Sequence, residues 1–116
     1  MLNRLVHRMK EPSAPEATVG EAVRAHAQGS AQIVDVRELE EWAEGHIPAA
    51  IHIPLSDLAI RASELNTNQP VIVVCRSGRR SSTGAGTLLK AGFTDVKSLA
   101  GGLVDWADAG HPVDHS

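Results

Sequence analysis

A single cysteine, Cys75, stands between an apolar run and a loop rich in glycine and arginine. The residues before it are β-branched and uncharged, which predicts a buried parallel strand over residues 71–75. The residues after the loop predict a helix over 81–91, with Ser81 as its cap. The thiol is therefore predicted at the carboxyl end of a strand, facing the amino end of a helix.

The loop after Cys75 predicts the chemistry of its sulfur. Loop amides, the helix dipole and three arginines, Arg76, Arg79 and Arg80, all favour a negative charge there. Such surroundings lower a thiol pKa from about 8.5 to roughly 3.5–7.5. We expect a solvent-reachable thiolate that attacks anionic substrates, with at least one arginine facing solvent or pairing with a carboxylate. The residues predicted to bind substrate are Arg76, Ser77, Gly78, Arg79 and Arg80.

The length of this loop separates two kinds of cysteine chemistry. Cysteine phosphatases place an arginine six positions after the cysteine, where it grips the phosphate. Here that position is Ser81, and the arginine falls one place earlier, at Arg80. Since loop size sets how many N–H groups converge on a ligand, the spacing favours sulfur transfer over phosphatase or arsenate reductase chemistry.

Composition limits the other classes of function. A chain of 116 residues with 42% hydrophobic content holds one domain and one core. A net charge of −3 and only two tryptophans and one phenylalanine argue against a nucleic-acid partner. One cysteine forms no internal disulfide, and no apolar run has the length of a membrane span or the form of a secretion signal. The sequence predicts a cytoplasmic protein with no transmembrane segment.

The chain divides into two regions with different sequence patterns. Residues 1–16 are predicted to comprise a basic amphipathic segment (1–10), with apolar residues at helical spacing, and a linker; residues 17–116 are predicted to form the domain. Within the domain, strands and helices alternate, which predicts a mainly parallel sheet with helices on both faces. Sites in such sheets lie beyond the carboxyl ends of the strands, where both Cys75 and Asp35 are expected. The predicted strands are 32–35, 50–53, 71–75 and 96–99, and the predicted helices are 18–28, 38–44, 56–65, 81–91 and 103–109.

Three blocks of sequence carry a resemblance to a known family. They lie within 35–54 (Asp35-Val36-Arg37-Glu38, then Glu41-Trp42 and 45–54), at 75–81 and within 92–106. Over residues 18–112 the sequence resembles the single-domain rhodaneses, which are sulfurtransferases. The resemblance implies a rhodanese-like three-layer α/β/α fold with a mainly parallel sheet of about five strands. One departure is Ala49, where the family usually has glycine; alanine fits unless the turn needs a positive φ.

The resemblance also implies a mechanism. The Cys75 thiolate takes a sulfur from a small anionic donor such as thiosulfate and becomes a persulfide. A thiol or another sulfur acceptor, which can be a protein, then removes that sulfur. Loop N–H groups from residues 76–80 would stabilise the persulfide. No cofactor or metal is expected, because the cysteine carries the sulfur.

Supporting residues are expected around the loop. Asp35 is predicted to accept hydrogen bonds, Arg37 to pair with a carboxylate such as Glu44, and Ser81 to cap the helix. A different class of function stays open, in which the same fold is a non-catalytic or regulatory binding module.

Overall fold

The computed structural model of the protein describes residues 14–115, so the amphipathic segment predicted at 1–10 lies outside the described residues. Within them is one five-stranded sheet whose strands are all parallel, in the order β1-β5-β4-β2-β3. The strands are β1 (Glu16–Ala17), β2 (Gln32–Asp35), β3 (Ile51–His52), β4 (Val71–Val74) and β5 (Val96–Leu99).

Helices cover both faces of this sheet, which confirms the predicted α/β/α architecture. Short 3₁₀ turns at Leu55–Asp57 and Ala62–Glu64 flank the third helix. No helix between residues 14 and 115 is long and apolar enough to cross a membrane. The helices are α1 (Val19–Gln28), α2 (Leu39–Glu44), α3 (Leu58–Arg61), α4 (Arg79–Lys90) and α5 (Gly102–Asp108).

The central strand β4 fixes the direction of the cysteine. All four of its residues are buried, as its apolar sequence predicts. Successive side chains of a strand point to opposite faces. Val71 and Val73 therefore join Cys75 in the core on the α3–α4 side, whereas Ile72 and Val74 pack with Trp106 on the other side.

The helix α4 begins earlier than predicted. Its N-cap is Gly78, at φ 113°, and no side chain caps it, so the prediction that Ser81 caps the helix is wrong. The left-handed backbone of Gly78 makes the turn, and Ser81 donates its hydroxyl proton to the Gly78 carbonyl at 3.0 Å from within the helix. Gly84 allows close packing, since a Cβ there would lie 3.2 Å from Leu58 and Val73.

The edge strand β1 was not among the predicted strands. It pairs Glu16, which was predicted to lie in the linker, with Ser98 of β5. A strand of two residues is too short to show the alternation by which strands are recognised.

Ala49 has a positive φ of 65°, and it is the one non-glycine residue with a positive φ among residues 14–115. Alanine was expected to fit unless the turn required a positive φ, and the turn does require one. A left-handed conformation costs a residue with a Cβ about 1–2 kcal/mol, because the Cβ crowds the following carbonyl.

Candidate active site

Cys75 follows directly after β4, and three loop residues connect it to α4. It is 1% exposed, so the expectation of a solvent-reachable sulfur is not met by this structure. The reason is its direction: the side chain points into the α3–α4 core, where Ser81 and Ser98 also lie buried.

Backbone amides of the loop converge on this sulfur. The N–H of Gly78 donates to Cys75 Sγ at 3.0 Å. Burial raises the pKa of the Cys75 thiol, but its hydrogen bond with the Ser81 side chain and those from the amides of Ser81, Gly78 and Ser77 outweigh this effect. The net pKa lies below the ordinary value for a thiol, mainly because of hydrogen bonds rather than the arginine charges expected from the sequence.

The helix α5 holds the other side of the loop. Its Leu103 and Val104 amides donate to the carbonyls of Cys75 and Arg76 at 2.9 and 3.1 Å. A Cβ on Gly102 would lie only 2.4 Å from the Arg76 oxygen. A glycine is therefore required where α5 comes close to the loop. The amides of α5 bind the first two carbonyl groups of the loop.

A pair of buried hydroxyls completes the surroundings of the sulfur. Ser81 Oγ lies 3.4 Å from Cys75 Sγ and 2.6 Å from Ser98 Oγ. Ser98 is fully buried on β5 and is aligned with Val73 of the central strand. Ser98 was not predicted; the available signal was its position two residues after Val96, which puts its side chain on the same, buried face of the strand.

The three loop arginines have different surroundings. Arg76 and Arg79 are exposed, as is Ser77. Arg80 instead donates two hydrogen bonds to the Glu41 carboxylate, at 2.6 and 2.8 Å. This pairing confirms that one arginine is bound by a carboxylate, and it lowers the pKa of Glu41 to about 2.

Arg37 pairs with Asp35 and not with Glu44, so that prediction is wrong. Its Nη2 lies 2.8 Å from Asp35 Oδ2, and it also donates to the Gly45 carbonyl at 2.6 Å. Residues two apart at the end of a strand share a face, which brings the two side chains together. Asp35 accepts hydrogen bonds as expected, including one from the Arg37 amide at 2.9 Å, and both residues are buried.

Residues 14–115 contain no group of three or more histidine, cysteine or acidic side chains that could hold a metal ion. Trp42 stacks on the rings of His46 and His52, with centroids 3.5 and 4.8 Å away. Each of these histidines also hydrogen-bonds a backbone carbonyl at 2.8 Å. These contacts give both histidines a structural role.

Comparison with known proteins gives relatives over most of the described chain. The Bacillus subtilis proteins YrkF and YqhL are 47% and 45% identical over 77 and 76 residues. Each match covers 66% of this chain, but only 42% of YrkF and 60% of YqhL. The thiosulfate sulfurtransferase GlpE of Pseudomonas aeruginosa is 35% identical over 96 residues, covering 83% of this chain and 86% of GlpE.

Solved structures and family profiles agree with this result. The crystal structure of a rhodanese-related protein from Thermoplasma volcanium has a TM-score of 0.81 and 25% identity, covering 88% of this chain and 99% of that one. The profile of the Rhodanese-like domain matches residues 18–109, which contain the whole of the cysteine loop and its supports. The chain therefore belongs to the rhodanese-like domain family.

Proposed function

We propose that this protein is a sulfurtransferase that carries a sulfane sulfur on Cys75. The observation that carries the proposal is the Gly78 N–H, 3.0 Å from Cys75 Sγ, together with a lowered thiol pKa. A lowered pKa raises the thiolate fraction at neutral pH, and the thiolate is the nucleophile. The family includes GlpE, named as a thiosulfate sulfurtransferase, which supports sulfur transfer at the level of the family.

The first half-reaction loads the cysteine. Its thiolate attacks the outer sulfur of a small anionic donor such as thiosulfate, and a bond forms between Sγ and that sulfur. The sulfur–sulfur bond of the donor breaks, and sulfite leaves with the bonding electron pair. Arg76 and Arg79, exposed on the rim, attract the donor, and the amides of Ser77 and Gly78 stabilise the persulfide.

The second half-reaction passes the outer sulfur to a thiol or another acceptor and restores the thiolate. The cysteine itself is the carrier, so the cycle needs no cofactor. A lone cysteine that must stay reduced between cycles fits the reducing cytoplasm, which we propose as its compartment.

One observation favours the binding module as a second candidate. Cys75 is 1% exposed, and an inert packing cysteine has the same burial. Phosphatase or arsenate reductase chemistry has less support, because Arg80 is occupied by Glu41 and is not free to grip an oxyanion.

Mass spectrometry of the intact protein after incubation with thiosulfate tests the proposal. We expect a mass gain of one sulfur atom that cyanide removes. Cys75→Ser should show no gain, while Ser82→Ala, on the same helix and with no side-chain hydrogen bond to a described residue, should load normally. An unloaded native protein would support the binding module, and hydrolysis of an aryl phosphate without loading would support phosphatase chemistry.

A further inference from the structure

The amino end of α5 lies directly against the cysteine loop. We propose that it positions this loop for the reaction: the amides of Leu103 and Val104 hold two loop carbonyls turned away from the sulfur, so that the N–H groups of the same two peptide groups face it. Leu103 and Val104 are then positioning residues that act through their backbone atoms. The inference rests on the proposed function, because it concerns the ionisation of the cysteine that carries the sulfur.

The two amides of α5 are available for this role. Leu103 and Val104 are the second and third residues of the helix, and the first four N–H groups of a helix have no carbonyl partner inside it. They donate instead to the carbonyls of Cys75 and Arg76, at 2.9 and 3.1 Å. Gly102 allows this approach, because a Cβ there would overlap both carbonyl oxygens. The contact therefore fixes two consecutive peptide groups of the loop.

The planarity of the peptide group carries this contact to the other side of the loop. In a trans peptide group the C=O and the N–H point in opposite directions, and residues 14–115 contain no cis peptide bond. The carbonyl of Arg76 shares its peptide group with the amide of Ser77, and the carbonyl of Cys75 shares its peptide group with the amide of Arg76. When α5 holds both carbonyls, both amides must therefore point away from α5.

The thiol shows independently which side that is. The amide of Ser77 is one of the backbone donors whose hydrogen bonds lower the pKa of the Cys75 thiol, and it belongs to the peptide group whose carbonyl Val104 holds. The next amide along the loop, that of Gly78, donates to Cys75 Sγ at 3.0 Å. The helix and the sulfur thus bind opposite ends of the same peptide dipole.

Without α5, this peptide group has little to hold its direction. The side chains of Arg76 and Ser77 are exposed, so their packing does not prevent the peptide group between them from turning over. A turned peptide group would present its carbonyl oxygen, the negative end of its dipole, to the sulfur, and this would destabilise the thiolate. The contact with α5 therefore favours the one direction that supports a reactive cysteine.

Replacing a single amide by an ester tests this role, because the ester oxygen removes the N–H and keeps the side chain. Cys75 is the one cysteine of the chain, so native chemical ligation joins residues 1–74 to a synthetic peptide of residues 75–116. An ester at Val104 should raise the thiol pKa, measured from thiolate absorbance, by about 0.5 units, since one neutral hydrogen bond is lost. Below that pKa, sulfur loading from thiosulfate should slow about threefold, and well above it the rate should be native.

The matched control is an ester at Ala109, whose amide donates to the Asp105 carbonyl at 3.1 Å at the other end of α5. It removes a hydrogen bond of the same length from the same helix. Both esters should therefore lower the urea midpoint by a similar amount, but only the ester at Val104 should move the thiol pKa. An ester at Leu103 should also raise the pKa, and it decides the question if the ester at Val104 does not fold.

Equal thiol pKa values in the esters at Ala109, Val104 and Leu103 would overturn the positioning role of α5 while sulfur carriage stands. A native protein that gains no sulfur from thiosulfate would overturn the proposed function. In that case the comparison of the pKa values would still decide whether α5 sets the direction of the loop amides.

Discussion

Ser98→Ala should raise the pKa of the Cys75 thiol, although the substituted residue lies on another strand. While Cys75 is a thiol, its Sγ donates to Ser81 Oγ at 3.4 Å, and Ser81 gives its own hydroxyl proton to the Gly78 carbonyl at 3.0 Å. When the thiolate forms, Ser81 must turn that proton to the sulfur. Ser98, 2.6 Å from Ser81 Oγ and 3.5 Å from the Gly78 carbonyl, supplies the donor that replaces it.

The size of the effect follows from the hydrogen bonds involved. Ser98 and Ser81 are both fully buried, so water does not replace a lost hydroxyl. Loss of one neutral hydrogen bond costs about 1 kcal/mol, which corresponds to a rise of about 0.7 units in the thiol pKa. Ser81→Ala removes a bond to the charged sulfur itself, worth about 1.5–3 kcal/mol, and should raise the pKa by about 1–2 units.

Thiolate absorbance in the ultraviolet, followed as a function of pH, measures this pKa without requiring access to the sulfur. The protein suits the method because it has one cysteine and no tyrosine, whose ionisation would obscure the band. The rate of alkylation by iodoacetamide against pH gives an independent midpoint. Ser82→Ala is the matched control, with the native pKa expected.

An unchanged or lowered pKa in Ser98→Ala, in a protein with native circular dichroism, would refute the assignment of the hydroxyl pair to the thiolate. A pKa in the native protein at or above the ordinary thiol value would refute the wider reasoning that amide and hydroxyl donors outweigh burial.

Three further substitutions test the supports of the site. Gly102→Ala should destabilise the fold by about 2 kcal/mol or more in urea denaturation, because its Cβ would lie 2.4 Å from the Arg76 carbonyl oxygen. Ala49→Gly should raise the free energy of unfolding by about 0.5–1 kcal/mol in the same assay, since glycine relieves the strain at φ 65° and gives back part of the gain as chain entropy. Glu41→Gln should cost about 1 kcal/mol at pH 7. The pKa of the Glu41 carboxyl is about 2 in the folded protein, against an ordinary value of 4.5. The ion pair with Arg80 therefore stabilises the fold fully above about pH 4.5 and less as the pH falls towards 2. The free energy of unfolding of the variant should vary less over that range than that of the native protein.

The substitutions at Gly102 and Ala49 each have a matched control. Gly86→Ala, at a helix position with nothing within 4 Å of the new Cβ, should stabilise rather than destabilise. Ala43→Gly, on the exposed side of α2, should lower stability where Ala49→Gly raises it. Equal changes in stability for Gly102→Ala and Gly86→Ala would contradict the role given to the close approach at Gly102. Equal changes for Ala49→Gly and Ala43→Gly would contradict the role given to the positive φ. For Glu41→Gln, a fall in the free energy of unfolding at acid pH as steep as that of the native protein would contradict the role of the ion pair.

The unit of strand, loop and helix around Cys75 was predictable because its signals are local. A continuous apolar run defines β4, and glycine with arginine marks the loop. The residue at which α4 begins was not predicted correctly. Gly78 makes the turn through its own left-handed backbone, so Ser81 is not needed as a cap and lies within the helix, facing the sulfur.

Contacts between distant elements explain most of what was missed. Ser98 meets Ser81 only because β5 lies next to β4, an order that local patterns do not define. Glu41 and Arg80 are brought together across 39 positions of sequence. The partner of Arg37 is a different case: Asp35 is two residues away on the same face, so strand geometry alone favoured it over Glu44.

The last strand and the last helix both help to build the surroundings of the sulfur, Ser98 through its hydroxyl and Leu103 through its amide. Both elements follow the cysteine loop in the sequence, so a nascent chain makes the loop before it makes Ser98 and Leu103. The hydrogen-bonded surroundings of the thiol are therefore complete only after residues 96–108 have been synthesised and have packed against β4 and the loop.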